Sequence, residues 1–433
     1  MNLYGKNNKN CIVYNDEIEQ DAISQIISIL DGKAFKDVPV RIMPDVHLGA
    51  DIVIGFTAPL TNMVNPSHVG VDIGCSISMC VVNRAITNED IPLIEHRIKK
   101  DIPMGFDLHK NRVFEMKEFI KFMNNEYNKA RSTWPEMVNS VTISEDYISK
   151  MLKRIGMDEG VFYKSLGTLG SGNHFIEIGS LSGNYTFAVH CGSRNFGLKV
   201  CKYWENIAKN PSLDKDLFKA RVKELKNTVK DKTQIPQMIE DIKNQMLDNS
   251  TPNGYLMGVD MSDYISDMVI AQAYAKFNHH IIIKRIEDIF RKINGGVVID
   301  TIQSIHNYID MNDHIIRKGA IRSYENERML VPFNMRDGIA ICVGKSNPEW
   351  NCSCSHGAGR KLSRSQAKKT ISMEDYKESM NGIYSTSINH STLDESPMAY
   401  KDTDTIMHLI SDTCEIVEVV KPIINIKAGD SDN

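Results

Sequence analysis

No apolar run in this 433-residue chain approaches the roughly 20 residues a helix needs to cross a bilayer. Hydrophobic character is scarce at the start as well: the first ten residues, Met-Asn-Leu-Tyr-Gly-Lys-Asn-Asn-Lys-Asn, are polar where a secretory signal would turn hydrophobic, so no membrane partner is expected and the expected location is cytoplasmic. There is no surplus of one charge. At a formal net charge of -4, any contact with nucleic acid must come from a local basic patch rather than from a general field. An even disulfide framework is absent as well, since nine cysteines are scattered along the chain, which leaves metal or catalytic roles open for one or two of them. Neither an internal repeat nor a linker stands out. With 42% hydrophobic and 24% charged residues the chain can bury a substantial core, and one large domain over residues 1–433 is expected.

What is present is a set of short glycine-rich stretches carrying histidines. The one that organises the rest runs from Asn351 to Arg360, Asn-Cys-Ser-Cys-Ser-His-Gly-Ala-Gly-Arg. His356 is the candidate nucleophile. Gly357 and Gly359 let backbone amides approach a ligand, Arg360 can grip phosphate through a fork of donors, and Lys361 to Lys369 is predicted to open a basic helix. A glycine turn with a packed histidine fits the same ten residues.

The pass along the chain predicts a mixed α/β fold with a helical excursion at about 205–290. A helix is expected from Asp16 to Leu30 and a strand from Val38 to Met43 that opens into a loop at Asp45 and His47. Val69 to Ser76 is predicted as a buried strand interrupted by Asp72. There an unpaired carboxylate beside Cys75 would be neutralised by zinc, manganese or cobalt, although a capped turn with a small buried cysteine fits as well. The glycine loop Leu166–Gly172 leads into a strand whose alternation sets Asn173 and Glu177 opposite His174. His190 follows the strand Thr186–Val189, and His306 follows Val297–Ile305. Between them, Ser212 to Phe290 is predicted as helical, with Leu217, Leu225 and Val229 as apolar contacts, breaks at Pro236 and Thr251–Gly254, and a long helix over Ile265–Phe290.

Taken together, PDVHLG at Pro44, VGVDIGC at Val69, LGTLGSGNHFIE at Leu166, HCGSRNFG at His190, HNY at His306, RKGA at Arg317, SHGAGR at Ser355, MAYKD at Met398 and the terminal Lys427 resemble the RtcB-type RNA-splicing ligases. The similarity runs from about Pro44 to Lys427. The resemblance implies a GTP- and manganese-dependent ligase that joins an RNA 2′,3′-cyclic phosphate or 3′-phosphate end to a 5′-hydroxyl. It further implies two Mn2+ ions, one on Asp72 and His174, the other on His190 and His306, with the Cys75 thiolate between them. His356 would carry the guanylate. Glu177 and Lys427 would read guanine, Tyr400 would stack on it, and Asn173 and Asn307 would touch phosphate or sugar. Arg194 and Arg360 would contact RNA, within a patch that includes Lys199, Arg317, Lys318 and Arg364.

This chain departs from the family pattern at several places. The loop usually written Pro-Gly-Ser-Met-Gly reads Pro332-Phe333-Asn334-Met335-Arg336, so nucleotide contacts are expected from Pro332, Asn334 and Met335 only. Ile339 stands where a serine is usual, and His279 where an arginine often follows Asn278. A dimetal RNA phosphodiesterase or phosphatase, and a non-catalytic nucleotide-sensing RNA-binding protein, are the competing readings. A monomer is expected.

Overall fold

The computed structural model describes residues 1–209, 222–223, 225–226, 232, 234–248 and 254–429. The fold is mixed α/β, as predicted. Its larger sheet has seven antiparallel strands, in the order Val298–Ile305, Ser76–Val82, Asn184–Cys191, Phe175–Leu181, Cys414–Ile426, Ile339–Gly344 and Arg328–Pro332. The outermost strands turn toward each other. Arg328 holds Asp300 through both guanidinium nitrogens and the Leu330 amide donates to Ser304 Oγ at 2.8 Å, so the sheet is nearly closed into a barrel.

Strand alternation divides the side chains of this sheet between two apolar clusters. Cys80, Val82, Ile176, Ile178, Phe187, Val189, Ile424 and Ile426 face outward onto Ile282, Ile286, Ile289 and Phe290 of the long helix Gly258–Asn294. Ile77, Met79, Phe175, Ala188, Leu330, Ile339 and Val420 face inward. Each such Ile, Val or Phe contributes about 1.5–3 kcal/mol on burial. Glu177 and His190 have the parity of the inward residues, and Asn425, past a register shift at Pro422/Ile424, alternates with the outward Ile424 and Ile426, so the sheet itself delivers these polar groups to its inner face.

A second sheet, ordered Asn2–Leu3, Cys11–Val13, Val40–His47, Ile54–Pro59, Ile315–Lys318 and Tyr308–Ile309, packs on the helix Gln20–Asp31 through Ile26, Ile29 and Leu30. The long helix contributes Met261 to Phe277 to this core as well. A two-stranded ribbon, Ala320–Arg322 with Ser353–Ser355, presents His356 immediately after its second strand. Among the described residues no helix is long and apolar enough to cross a membrane.

Several boundaries differ from the sequence reading. Val69 to Ser76 is not a strand: a 3-10 turn at Pro66–His68 leads into a loop, and the strand begins only at Ser76. Gly74 has φ +71, and its amide donates to the Asn307 carbonyl at 2.9 Å, so a long-range bond overrides the β-prone composition. In the second sheet, the strand Val40–His47 runs on through Asp45 to His47 instead of opening into a loop. The helix expected from Lys361 starts at Arg364, capped by Ser363, whose hydroxyl accepts from the Gln366 amide. The long helix extends further than Ile265–Phe290 at both ends. Pro236 opens the helix Ile235–Asp248 rather than breaking one, as proline in a first turn permits. The expected apolar contacts Leu217 and Val229, and the break at 251–253, lie outside the described residues.

Candidate active site

The loop that ends at Cys75 meets the start of Phe175–Leu181 and the strand Asn184–Cys191. Cys75, His174 and His190 form a buried cluster whose ligand atoms lie within 4.8 Å of one another. Cys75 Sγ is 3.3 Å from His190 Nε2 and 3.6 Å from His174 Nε2. Asp72 Oδ2 lies 3.0 Å from His174 Nε2, and His306 Nε2 is 3.2 Å from His190 Nε2. All five predicted ligands therefore converge. A Cβ on Gly192 would collide with the Asp72 carboxylate, so glycine is required for this approach.

The tautomers follow from what surrounds the rings. His174 Nδ1 faces the Leu169 carbonyl at 3.0 Å and His190 Nδ1 faces the Asn173 carbonyl at 3.1 Å. A carbonyl can only accept, so each Nδ1 carries the proton and each Nε2 points a lone pair into the cluster. Burial, then the neighbouring imidazoles, pushes the pKa of His190 and of His306 well below the usual range, so these rings stay neutral. Burial and the Asp72 charge push the Cys75 thiol up. Lone pairs from imidazoles, a carboxylate and a thiol aimed at one another form a donor set for a divalent, borderline-soft ion.

Beside this cluster stands His356, its ring centroid 4.8 Å from that of His306. Its Nδ1 donates to Asp45 Oδ2 at 2.6 Å, and its backbone amide donates to the same oxygen at 3.2 Å. Asp45 is fully buried. Lys401 Nζ donates to the Pro44 and Val46 carbonyls on either side of it. Sequence reasoning placed Asp45 at a loop near a site but did not pair it with His356, 311 residues away.

A cavity of about 400 Å³ opens in front of His356. Asn173, Glu177, His190, Pro332, Asn334, Met335, Gly357, Gly359, Arg360, Tyr400 and Lys427 all line it, so most of the nucleotide-contact candidates are brought together. Asn307 is not among them: its Oδ1 accepts from the Gly319 amide at 2.9 Å and its Nδ2 donates to the Asp72 carbonyl, which ties the metal loop to the RKGA segment. In the altered loop, Asn334 spends its side chain on Arg336, Asp337 and the turn itself. Ile339 presents an apolar wall there.

Two wall residues escaped the sequence reading. Asn425 pairs with Glu177 across the sheet and donates from Nδ2 to Glu177 Oε2 at 2.9 Å, leaving Asn425 Oδ1 and Glu177 Oε1 buried without a partner. Burial, only partly offset by Asn425 and Lys427, pushes the Glu177 carboxyl up to about 8. Glu395 is buried and accepts from Lys427 Nζ at 3.0 Å, Tyr400 Oη at 2.6 Å and Arg360 Nη1 at 3.2 Å. Burial opposes its charge, but Lys427 and Arg360 hold its carboxyl down to about 2. An isolated Asn in a strand and a Glu before Ser-Pro carry no motif signal.

The basic patch forms only in part. Arg317 and Lys318 are buried, the first held by Asp313 and Ser353 and the second by the Ser67 carbonyl. His279 is also buried, between Ser76 Oγ and the Cys191 carbonyl. Arg194 is half-buried and bridges Thr168 Oγ1 and the Gly105 carbonyl.

Comparison with known proteins agrees with this geometry. The family model described as tRNA-splicing ligase RtcB matches residues 34–428. The chain is 28% identical over 425 residues to the RNA-splicing ligase RtcB of Escherichia coli K12, covering 95% of each chain. It is 25% identical over 456 residues to the tRNA-splicing ligase RtcB of Archaeoglobus fulgidus, covering 91% of this chain and 88% of the relative. An RNA-splicing ligase RtcB homolog of Entamoeba dispar is 26% identical over 459 residues. With its metal-ligand cluster, histidine and cavity in one place, and with the model matched across nearly its whole length, this chain belongs to the RtcB ligase family.

Proposed function

We propose that this enzyme is an RNA ligase that uses GTP and manganese to join a 3′-phosphate or 2′,3′-cyclic phosphate end of RNA to a 5′-hydroxyl end through a guanylylated His356. The observation that carries this reading is the Asp45–His356 pair. A buried carboxylate holds the Nδ1 proton, which leaves the Nε2 lone pair free beside a cavity of nucleotide size.

In this reading, guanine's donor edge meets the orphaned oxygens of Glu177 and Asn425, while Lys427 faces its carbonyl oxygen. His356 Nε2 attacks the α-phosphorus, a phosphorus–nitrogen bond forms, and pyrophosphate leaves. A 2′,3′-cyclic phosphate end is first opened by water, which breaks the bond from phosphorus to the 2′-oxygen, and the resulting RNA 3′-phosphate then takes the guanylate from His356. The RNA 5′-hydroxyl attacks the activated end and GMP departs. Asp72, Cys75, His174, His190 and His306 would hold two manganese ions, which when bound offset the charge that develops on phosphoryl oxygens. We further propose that residues 1–433 act as one catalytic domain, since the helix Gly258–Asn294 packs into both major cores. A monomer in the cytoplasm completes the proposal, in keeping with free, mostly buried cysteines.

The test uses GTP labelled at the α-phosphate, manganese and no RNA. Wild type should acquire a covalent label that is labile to acid and resistant to alkali. His356→Ala should lose the label but keep its metal, and a 3′-phosphate RNA should discharge the wild-type adduct. Cyclic-phosphate opening by a protein that never takes up label would favour the dimetal phosphodiesterase reading instead.

A further inference from the structure

Phe106 is 96% exposed, the most exposed large apolar side chain among the described residues. A single apolar residue in water is ordinary. What distinguishes this one is how firmly the backbone on both sides of it is held. The Leu169 amide donates to the Pro103 carbonyl at 2.9 Å, the Gly105 amide to the Gly170 carbonyl at 2.8 Å, and Arg194 Nη2 to the Gly105 carbonyl at 2.8 Å. Beyond Phe106, the His109 amide donates to the Lys164 carbonyl and His109 Nε2 to the Gly167 carbonyl at 3.0 Å.

The loop that presents Phe106 is thus laced to Gly167–Gly170, the segment that leads into Asn173 and His174. Two residues further on, Gly172 meets residues that line the cavity: Lys427 Nζ faces its carbonyl and the Arg364 guanidinium lies against it. Gly105 itself approaches Ala428, next to Lys427. An exposed aromatic ring on a firmly held loop, together with the half-exposed Arg364 against Gly172, supplies the two features by which proteins hold single-stranded RNA: a π-face for a base and a cation for the phosphate.

We propose that Phe106 is a stacking platform for a base of the RNA strand that enters the site. This rests on the RNA-ligase reading above. Stacking reads no base edge, so the platform holds a strand of any sequence and orients its end toward His356.

The experiment measures binding of a single-stranded 3′-phosphate RNA containing 2-aminopurine, with manganese and without GTP, to wild type, Phe106→Ala and Phe106→Trp. Phe106→Ala should bind about 5- to 100-fold more weakly, as expected for loss of one stacked base. Phe106→Trp should restore the affinity, and 2-aminopurine quenching should be present in wild type and Trp and lost in Ala. Guanylylation without RNA, and metal content, should be equal in all three. RNA affinity of Phe106→Ala within about twofold of wild type would overturn the proposal, since a stacked base is worth more than that. So would parallel loss of guanylylation, which marks a structural role, or a dimer that Phe106→Ala dissolves while RNA affinity is unchanged, which marks a protein contact. Wild type that quenches 2-aminopurine yet takes no guanylate keeps the platform and removes the ligase mechanism.

Discussion

Asp45 Oδ2 receives both the ring Nδ1–H and the backbone N–H of His356, so one buried oxygen sets the tautomer and the main-chain position of the same residue. The other carboxylate oxygen, Oδ1, is buried without a partner. The pair joins the second-sheet strand Val40–His47 to the ribbon strand Ser353–Ser355, and that junction aims Nε2 at the cavity.

Asp45→Asn tests the tautomer. An amide can offer its nitrogen as a donor to Nδ1, which would move the ring proton to Nε2 and block attack. Guanylylation should slow by about 10²- to 10⁴-fold with metal content unchanged. Rapid-quench measurement of the labelled adduct checks this, and a wild-type rate would count against the role.

Cys75→Ala tests the metal cluster. Both neighbouring imidazoles lose their shared sulfur, so elemental analysis should find manganese lost, while Cys352→Ala and Cys354→Ala retain it. Manganese at about 100 times its dissociation constant should stabilise wild type by roughly 2.7 kcal/mol in thermal unfolding and leave Cys75→Ala unmoved. Retention of two ions by Cys75→Ala would sink the assignment.

Glu177→Gln tests the buried carboxyl through pH. The folded chain holds the Glu177 proton up to about 8, whereas the unfolded chain releases it near 4.5. The folded state therefore binds more protons within that window, and nucleotide-free stability falls as pH rises across it, by an amount on the order of a few kcal/mol. The glutamine variant removes this slope and should exceed wild type in melting temperature at pH 8, with little difference near pH 4.5. Parallel curves would show that the carboxyl is solvated. The same variant should lose its preference for GTP over ATP in the labelling reaction.

Much of the site was legible because its parts are local. Glycine loops beside strand-end histidines mark Asp72, Cys75, His174, His190, His306 and His356 within short windows, and Asn173 and Glu177 both reach the cavity, although the strand whose alternation was expected from Asn173 begins only at Phe175. Where the reading failed, a distant contact outweighed local preference. Val69 to Ser76 has strand composition, but the Asn307 carbonyl captures the Gly74 amide and makes it a loop. Arg317 and Lys318 look like surface cations, yet Asp313, Ser353 and the Ser67 carbonyl provide buried partners. The helix start at Arg364 is set locally, by the Ser363–Gln366 capping box, and not by the run of cations that begins at Arg360.

The sequence by itself determined the chemistry on offer: which side chains can ligate, attack or accept, and, for a group within a strand such as Glu177, which neighbours share its face, because period-2 alternation needs no tertiary information. Only the tertiary structure decided which of those groups act together. Asp45 and His356 are 311 residues apart, and Glu177 and Asn425 are 248 apart. Their meeting depends on how the strands order within each sheet and how the two sheets pack. That is a property of the whole buried core, and no window of sequence contains it.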